Sequence, residues 1–295
     1  MSKQKRVLGF IGGSGVYRAD ALQNAERIDM ETPWGAPSDA LVAGTINGVD
    51  VVFLARHGAG HRLPPSAVNY RANIDAMKRA GVTDLISLSA CGSFREDLSP
   101  GTFVIADQFI DRTSGREASF FGPGFVAHVS MAQPVCSALA DAAAASCKAL
   151  EIPCSEGGTY LAINGPQFSS LAESKLYRAW GCDVIGMTNM PEAKLAREAE
   201  LPYATVAMVT DYDCWHEREG PVDVSKVLAI MADNTKNASR LIENLATRLS
   251  DARDASPLGI ETVLDVSVIT APDARDPAMI AKLDAIAGRY LAAQR

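Results

Sequence analysis

The sequence predicts an α/β fold built around a largely buried sheet. Short runs rich in Val, Ile and Leu alternate with longer amphipathic segments, and most of the glycine-rich or charged motifs follow directly after one of the short runs. With 295 residues, 47% of them hydrophobic, the chain can form one large α/β domain or two small ones. Because no internal repeat or low-complexity linker divides it, we expect a single domain.

Six apolar runs are typical of buried strands. They are Val7–Ile11, Val51–Ala55, Leu85–Ala90, Phe103–Ala106, Val184–Met187 and Ala204–Val209. Four further segments are predicted to be helices, and in the first of them Tyr70, Ile74 and Met77 recur on one helix face. The four segments are Ser66–Ala80, Leu171–Trp180, Ala193–Glu200 and Ser225–Leu249. This alternation of strands and helices is typical of α/β architectures.

The last part of the chain forms a separate segment. A polar break near Ser250 suggests a catalytic domain over residues 1–250 and an extension over residues 251–295. Asp276 and Pro277 are typical of a helix N-cap and first helical position, and an apolar stripe follows them. The stripe consists of Ile280, Leu283, Ile286 and Tyr290. We expect one helix here, docked on the same domain or on a neighbouring subunit.

Bulk composition excludes several classes of protein. A net charge of −7 and a pI near 5.2 argue against nucleic-acid binding, which needs clustered cations. The apolar run at the N-terminus is too short for a signal peptide and no run could span a bilayer, so we expect no membrane association and a cytoplasmic location. The six cysteines form no CxxC pair, which favours reduced thiols over a metal site.

Three loops rich in hydrogen-bond donors follow predicted strands. Gly12–Gly15 follows the first strand, and its glycines and the Ser14 hydroxyl suit an anion, although a tight structural turn explains the loop equally well. Arg56 and His57 follow the second, where an arginine is also a common partner in a surface ion pair. The third is Ser89–Ser93, whose small residues also suit close packing. Together the loops predict one phosphate pocket at the carboxyl edge of the sheet.

A fourth motif places two carboxylates after the strand Ala204–Val209. Burying Asp211 and Asp213 costs free energy unless they are hydrogen-bonded or used in chemistry. A carboxyl whose pKa is raised can donate a hydrogen bond to a purine ring nitrogen or accept one from an exocyclic amine. The alternative is a pair that caps the next helix. Tyr212 and Trp215 are interpreted as packing residues.

These motifs, in this order, resemble the trimeric purine nucleoside phosphorylase superfamily, and within it the branch that acts on methylthioadenosine. The matching stretches cover most of residues 7–245 and are IGGSG, LARHG, PPSAVNYRANI, SACGSFREDLSPG, DQFIDRT, INGPQFSSLAES, DVIGMTNMPEAKLAREA and VTDYDCW. The resemblance implies a single domain with a central, mixed, twisted sheet flanked by helices. It also implies a homotrimer or a dimer of trimers, with neither a metal nor an organic cofactor, because inorganic phosphate is a co-substrate.

The resemblance also implies roles for individual residues. Those implied to bind phosphate are Ser14, Arg56, His57, Ser89, Ala90 and Thr188. Those implied to bind the nucleoside are Phe168 on the purine, Met187 at the ribose, Asp211 and Asp213 at the base, and Val227, Leu228 and His128 around the 5′ group, with His128 reaching into the adjacent subunit. Asp211 is the implied catalytic acid. His61 is a neighbour of the site with no assigned role.

Three positions are expected to set substrate choice. Relatives that use guanine or hypoxanthine have Glu at the position of Ser169 and Asn at that of Asp211, whereas an Asp suits adenine. Val224 stands where relatives that read a free 5′-hydroxyl have His, so an apolar pocket for a thiomethyl group is expected. The implied activity is phosphorolysis of S-methyl-5′-thioadenosine, in purine and methionine salvage. The alternatives are a phosphorylase of methylthioinosine or other 6-oxopurine nucleosides, a hydrolase, and a non-catalytic nucleoside sensor.

Overall fold

The computed structural model describes residues 5–13, 21–217, 222–250 and 254–294. The strands are β1 (Val7–Gly12), β2 (Gln23–Ile28), β3 (Leu41–Ile46), β4 (Val49–Ala55), β5 (Asp84–Ser93), β6 (Phe103–Ile105), β7 (Gln108–Asp111), β8 (Cys154–Glu156), β9 (Thr159–Ala162), β10 (Val184–Gly186) and β11 (Tyr203–Asp211). The helices are α1 (Tyr70–Arg79), α2 (Ser137–Ala149), α3 (Leu171–Ala179), α4 (Asn189–Glu198), α5 (Val224–Arg248), α6 (Pro277–Lys282) and α7 (Gly288–Ala293). None of the helices in these ranges is long and apolar enough to cross a bilayer.

All the named strands join one mixed sheet, as expected for this fold class. β1 pairs in parallel with β4 and β5, and β5 pairs in parallel with β11 but antiparallel with β10. β2, β3 and β4 form an antiparallel edge. The carboxyl ends of β1, β4, β5 and β11 therefore lie at one edge of the sheet, which is where ligands bind in open α/β folds.

Helices cover both faces of this sheet. Successive side chains of a strand point to opposite faces, and the residues of β1 divide accordingly between two apolar clusters. Phe10 packs in the cluster that contains Leu139 of α2 and Leu241 of α5, whereas Ile11 packs in the cluster that contains Met77 of α1 and Leu195 of α4. Residues on β4 divide in the same way. Burial on both faces explains why these strands have continuous apolar sequences.

The six strands and four helices predicted before the C-terminal extension are present, with shifted ends. The largest shifts are of four residues: α1 begins at Tyr70 rather than Ser66, and α4 begins at Asn189 rather than Ala193. Helix α4 also contains a non-helical residue, Met190, in its first turn. The prediction missed β2, β3, β7, β8, β9 and α2. Strand β2 is polar and largely exposed, so it has no apolar pattern to recognise. Helix α2 is rich in alanine and has only a weak apolar stripe.

The C-terminal extension packs on its own domain. The predicted N-cap is confirmed, because the Asp276 carboxylate accepts a hydrogen bond of 2.8 Å from the backbone N–H of Ala278. The single predicted helix is instead two short helices, α6 and α7. Leu283, Ile286 and Tyr290 are nevertheless buried in the same apolar cluster as α1 and α4. Their burial accounts for the apolar stripe seen in the sequence.

A buried carboxylate fastens this extension to the domain. Glu200, just after α4, is 3% exposed. Its two carboxylate oxygens accept hydrogen bonds of 2.7 and 2.6 Å from Arg289 in α7. One of them also accepts a bond of 3.1 Å from the backbone N–H of Leu264. The same arginine contacts Asp265, which is largely exposed.

The two partners of Arg289 should differ in their effect on stability. We expect Glu200→Gln to lower the free energy of unfolding by roughly 1–3 kcal/mol, because it weakens charge-assisted hydrogen bonds to a buried group. Asp265→Asn is the matched control and should change it by less than about 0.5 kcal/mol, since exposed pairs contribute little. Urea denaturation of both variants measures the difference, and equal losses would show that Glu200 does not anchor the extension.

Candidate active site

A cavity of about 450 Å³ opens at the carboxyl edge of the sheet. It brings together most of the residues that the sequence analysis assigned to the site. Those that line it are Arg56, His57, Ser89, Ala90, Phe168, Ser169, Met187, Thr188, Asp211, Asp213, Val227 and Leu228. His61 lines it as well. Residues distant in sequence therefore meet because the parallel strands end side by side.

Arg56 lies beneath the cavity with its guanidinium almost fully bonded to protein. It is 1% exposed and forms a bidentate ion pair with Glu192, with Nε and Nη2 at 2.8 and 3.0 Å from the carboxylate oxygens. Nη2 also donates to the Ser87 hydroxyl and the Ile11 carbonyl, and Nη1 donates to the Leu88 carbonyl. Burial alone would lower the pKa of Arg56, but Glu192 outweighs it and the pKa is raised.

His57 is held in one tautomer. Its Nδ1 lies 2.9 Å from the carbonyl oxygen of Leu63, which can only accept, so Nδ1 carries the proton. Burial and the neighbouring charge of Arg56 lower the pKa of His57 to about 4. The ring stacks on His61 with 4.2 Å between centroids. At neutral pH His57 is therefore uncharged, with Nε2 as an acceptor.

The other groups predicted to bind phosphate lie at the same end of the cavity. The Ser89 hydroxyl, on β5, donates a bond of 3.0 Å to the side-chain oxygen of Asn189. Ala90 follows on the same strand, and Thr188 immediately precedes α4. The prediction for Ser14 falls outside the described residues. Small and hydroxyl-bearing side chains at this end leave space for an anion.

Asp211 is presented to the cavity by an irregularity in β11. The pairing with β5 shifts register just before Asp211, as in a β-bulge, and bulges commonly redirect side chains near active sites. Its two oxygens accept bonds from the backbone N–H of Asp213, at 2.8 Å, and the Thr210 hydroxyl, at 2.7 Å. Burial nevertheless raises the pKa of Asp211. A Cβ at Gly92 would lie 2.8 Å from Asp211 Oδ1, so the carboxyl occupies space that only glycine leaves free.

Asp213 is the more deeply buried of the two carboxyls. It is 4% exposed, and its Oδ2 forms no hydrogen bond of good geometry with the described residues. Burial raises its pKa, the nearby hydroxyl of Ser174 opposes that effect, and the charge of Asp211 adds to it. The hydroxyl of Ser169 is buried beside it and likewise lacks a partner of good geometry within the described part of the chain. The Asp213 carboxyl and the hydroxyls of Ser169 and Ser174 therefore form one polar group at this end of the cavity.

Apolar residues form the remaining walls. Phe168 lines the cavity and is 46% exposed, so its ring is accessible to a ligand. Met187 is held by close packing, because a Cβ at Gly165 would collide with its Sδ. Val227, Leu228 and neighbouring Met231 extend the apolar surface along α5. These groups suit a purine and an uncharged substituent.

Two assigned residues do not line this cavity. Val224 is the first residue of α5 and lies one helical turn before Val227 and Leu228, which do line it. His128 lines a different cavity of about 400 Å³, together with Met131 and Lys194. Its backbone N–H donates to Ser267 of the C-terminal extension. The roles implied for both residues stay predictions.

Three residues that organise the site had no role predicted from the sequence. Glu192 neutralises Arg56, Asn189 binds Ser89, and Gly92 leaves room for Asp211. A glutamate in the first turn of a helix resembles an ordinary favourable charge at a helix N-terminus, so its pattern carried no signal. A signal for Glu192 could have come from Arg56 instead, because a buried arginine requires an acidic partner. Among the described residues no cluster of His, Cys, Asp or Glu could hold a metal ion.

Stability should depend on pH in opposite ways at two carboxyls. Because burial raises the folded-state pKa of Asp213, its ionisation costs stability as pH rises through and above the ordinary value of 3.8. Asp213→Asn should therefore raise the free energy of unfolding at pH 7, on the order of 1 kcal/mol for removing a buried, poorly paired charge. Below pH 3.8, where both states are protonated, the gain should vanish.

Asp111→Asn provides the control of opposite sign. Burial opposes the effect, but bonds from Lys194 and Thr113 lower the pKa of Asp111, so this carboxylate stabilises the fold above pH 3.8 and stops doing so as the pH falls. The variant should lose stability at pH 7. Denaturant titrations at several pH values test both, and a loss of stability at pH 7 for Asp213→Asn would contradict the assignment.

Comparisons with known proteins identify the family of this chain. Residues 7–247 match the phosphorylase superfamily. The S-methyl-5′-thioadenosine phosphorylases of Cereibacter sphaeroides and Rhodospirillum rubrum are 57% and 58% identical, each over 97% of this chain and over 99% and 97% of their own length. A methylthioadenosine phosphorylase from an antarctic soil metagenomic library has a TM-score of 0.91 at 45% identity, with 96% of this chain and 99% of that chain covered.

A second solved structure has a ligand. A mutant of adenosine/methylthioadenosine phosphorylase from Schistosoma mansoni, in complex with methylthioadenosine, has a TM-score of 0.79 at 38% identity, with 85% of this chain and 93% of that chain covered. The family match spans most of the chain, and the two bacterial relatives match it nearly from end to end. The chain belongs to the phosphorylase superfamily.

Proposed function

We propose that this protein uses inorganic phosphate to cleave S-methyl-5′-thioadenosine into adenine and S-methyl-5-thioribose 1-phosphate. It is thus a pentosyltransferase of purine and methionine salvage. The relatives of 57% and 58% identity bear the name of this activity. The observation that carries the proposal is one cavity with a protonatable carboxyl, Asp211, at one place and donors for an anion at another.

In the proposed reaction these groups stabilise the charges that develop on the purine and on the sugar. An oxygen of phosphate forms a bond to C1′ of the ribose as the bond from C1′ to N9 breaks, and the electron pair of that bond goes to the purine. Asp211 carries a raised pKa, so in its protonated form it can donate toward N7 and let the base leave uncharged. The anion stabilises the positive charge that develops on the sugar. Holding both substrates in one cavity supplies further rate acceleration.

The arrangement favours an adenine nucleoside with an apolar 5′ group. Asp211 and Asp213 supply carboxyls that suit N7 and the 6-amino group, and Ser169 leaves room where a larger acid would read a 6-oxo base. Val227, Leu228 and Met231 offer no partner for a 5′-hydroxyl. Burying an unpaired hydroxyl there costs roughly 1–3 kcal/mol. Val224 lies one helical turn before Val227 and Leu228, which is the support for its assigned role.

The assembly is part of the same proposal. We infer a homotrimer or a dimer of trimers, in which His128 meets the 5′ group of a neighbouring subunit. Support comes from its place beside a second cavity, outside the site of its own chain, and from exposed apolar side chains nearby in the extension, at Val266 and Ile269. The cytoplasmic location stays a prediction from the sequence.

The decisive experiment is an assay with and without phosphate. Purified protein is incubated with S-methyl-5′-thioadenosine, and free adenine and the sugar phosphate are separated and quantified. We expect adenine to appear only with phosphate and in equal amount to the sugar phosphate. Adenine released at the same rate without phosphate would instead identify a hydrolase. Faster turnover of methylthioinosine or inosine would favour the 6-oxopurine alternative.

Replacing Asp211 should affect turnover more than binding. We expect Asp211→Ala to lower kcat for S-methyl-5′-thioadenosine by about 10²–10⁴-fold, the usual contribution of a general acid, with KM changed only a few-fold. Asp97→Asn, at an exposed carboxylate paired with Arg95, is the control and should leave both constants unchanged. Steady-state kinetics at saturating phosphate measure the effect. Wild-type kcat in Asp211→Ala would remove the acid from the mechanism.

A further inference from the structure

We call the part of the cavity lined by Arg56, His57, Ser89, Ala90 and Thr188 its anion-binding end. A continuous chain of buried hydrogen bonds connects Ser89 with Arg56 there. Ser89 donates to the side-chain oxygen of Asn189 at 3.0 Å, and the Asn189 amide nitrogen donates to the Tyr203 hydroxyl at 3.2 Å. Tyr203 then donates at 3.0 Å to Glu192, which binds Arg56 with both oxygens. Each of these side chains is at most 6% exposed. We call this set of five residues the relay.

The direction of every bond in the relay is fixed. A carboxylate only accepts, so the single proton of Tyr203 points to Glu192. Its oxygen can then only accept from Asn189, which orients the amide with nitrogen toward Tyr203 and oxygen toward Ser89. The Asn189 nitrogen also donates to the Thr205 hydroxyl. The single proton of Ser89 is thereby used by Asn189, so the Ser89 oxygen can meet phosphate only as an acceptor, from a protonated phosphate oxygen.

The relay also limits what Arg56 can offer an anion. A guanidinium has five N–H donors. Nε and Nη2 are used by Glu192, Ser87 and the Ile11 carbonyl, and one donor of Nη1 by the Leu88 carbonyl. One N–H on Nη1 remains, and the charge is already balanced by Glu192. Affinity for an anion then depends on where that N–H points, which makes orientation more important than net charge.

We propose that Glu192, Tyr203 and Asn189 are positioning residues that hold Arg56 and Ser89 as one unit and so set the affinity of the site for phosphate. The inference rests on the proposed function, because it assumes that phosphate binds at this end of the cavity. None of the three residues needs to touch the phosphate. They act by fixing the positions of the free N–H group on Arg56 Nη1 and of the Ser89 hydroxyl relative to each other.

Tyr203→Phe is the variant that cuts the relay with the least disturbance. It removes one hydroxyl, keeps the ring, and leaves the ion pair between Arg56 and Glu192 intact. We expect KM for phosphate to rise about 5- to 30-fold, in line with the loss of a hydrogen bond to a charged group. The kcat at saturating phosphate and KM for the nucleoside should stay within about twofold. A purely structural role would instead lower stability and leave KM for phosphate unchanged.

Tyr290→Phe is the matched control. Its hydroxyl is also buried and accepts a hydrogen bond of 2.8 Å from a charged side chain, Arg275, but it lies in the C-terminal extension. It should lower stability without changing KM for phosphate. Thr205→Val, which removes another partner of Asn189, is the second variant if Tyr203→Phe does not fold. It should also raise KM for phosphate selectively.

A double-mutant cycle tests whether Tyr203 acts through the relay. In a Ser89→Ala background the relay already lacks one end, so Tyr203→Phe should raise KM for phosphate by less than half the factor seen in the wild type. Factors that multiply independently would overturn the proposal. Tyr290→Phe should combine independently with Ser89→Ala.

Calorimetric titration with inorganic phosphate separates this inference from the proposed function. Weaker phosphate binding in Tyr203→Phe than in the wild type and Tyr290→Phe supports the relay even when no nucleoside is present. Equal phosphate affinity in all three proteins overturns it while leaving phosphate-dependent turnover untouched. A wild-type protein that binds no phosphate and releases no adenine refutes the proposed function and, with it, the relay.

Discussion

The ion pair between Arg56 and Glu192 is the constraint on which the site depends. A guanidinium that is 1% exposed would be prohibitively costly without a partner, and Glu192 from α4 supplies one at 2.8 Å. The pair ties the end of β4 to the start of α4, and so brings Thr188 and Asn189 beside Ser89 on β5. The same ion pair therefore holds α4 against the sheet and positions the residues of the anion-binding end.

The two ends of the cavity differ in the kind of charged group that they bury. At the end of the cavity that holds Arg56 and His57, Glu192 neutralises Arg56, and the pKa of His57 is lowered to about 4, so little net positive charge remains there. At the other end, burial raises the pKa of both Asp211 and Asp213, which favours their protonated forms. Groups whose pKa values are displaced in opposite directions thus lie in one cavity, as is common at functional sites.

Sequence patterns predicted the buried strands and the amphipathic helices because burial on both faces, or on one helix face, leaves a periodic trace. The polar edge strand β2 and the alanine-rich helix α2 have no such periodic pattern. The apolar stripe of the C-terminal extension is compatible with one helix as well as with the two that are observed. The segments around the ends of β4, β5 and β11 revealed half of the assigned cavity residues, although Ser89–Ser93, predicted as a loop, lies within β5. Glu192 escaped because its role depends on a contact 136 residues away in sequence, which no local spacing records. The role of Val224 came from the family resemblance, and it stays a prediction.

Gly92 has a consequence for how such a site can diversify. Since any side chain there would displace Asp211, the strand position is closed to mutation as long as the carboxyl is needed. A lineage that comes to recognise another nucleobase must therefore keep Gly92 while it changes other groups, such as Ser169, or must replace Asp211 before Gly92 becomes free to vary.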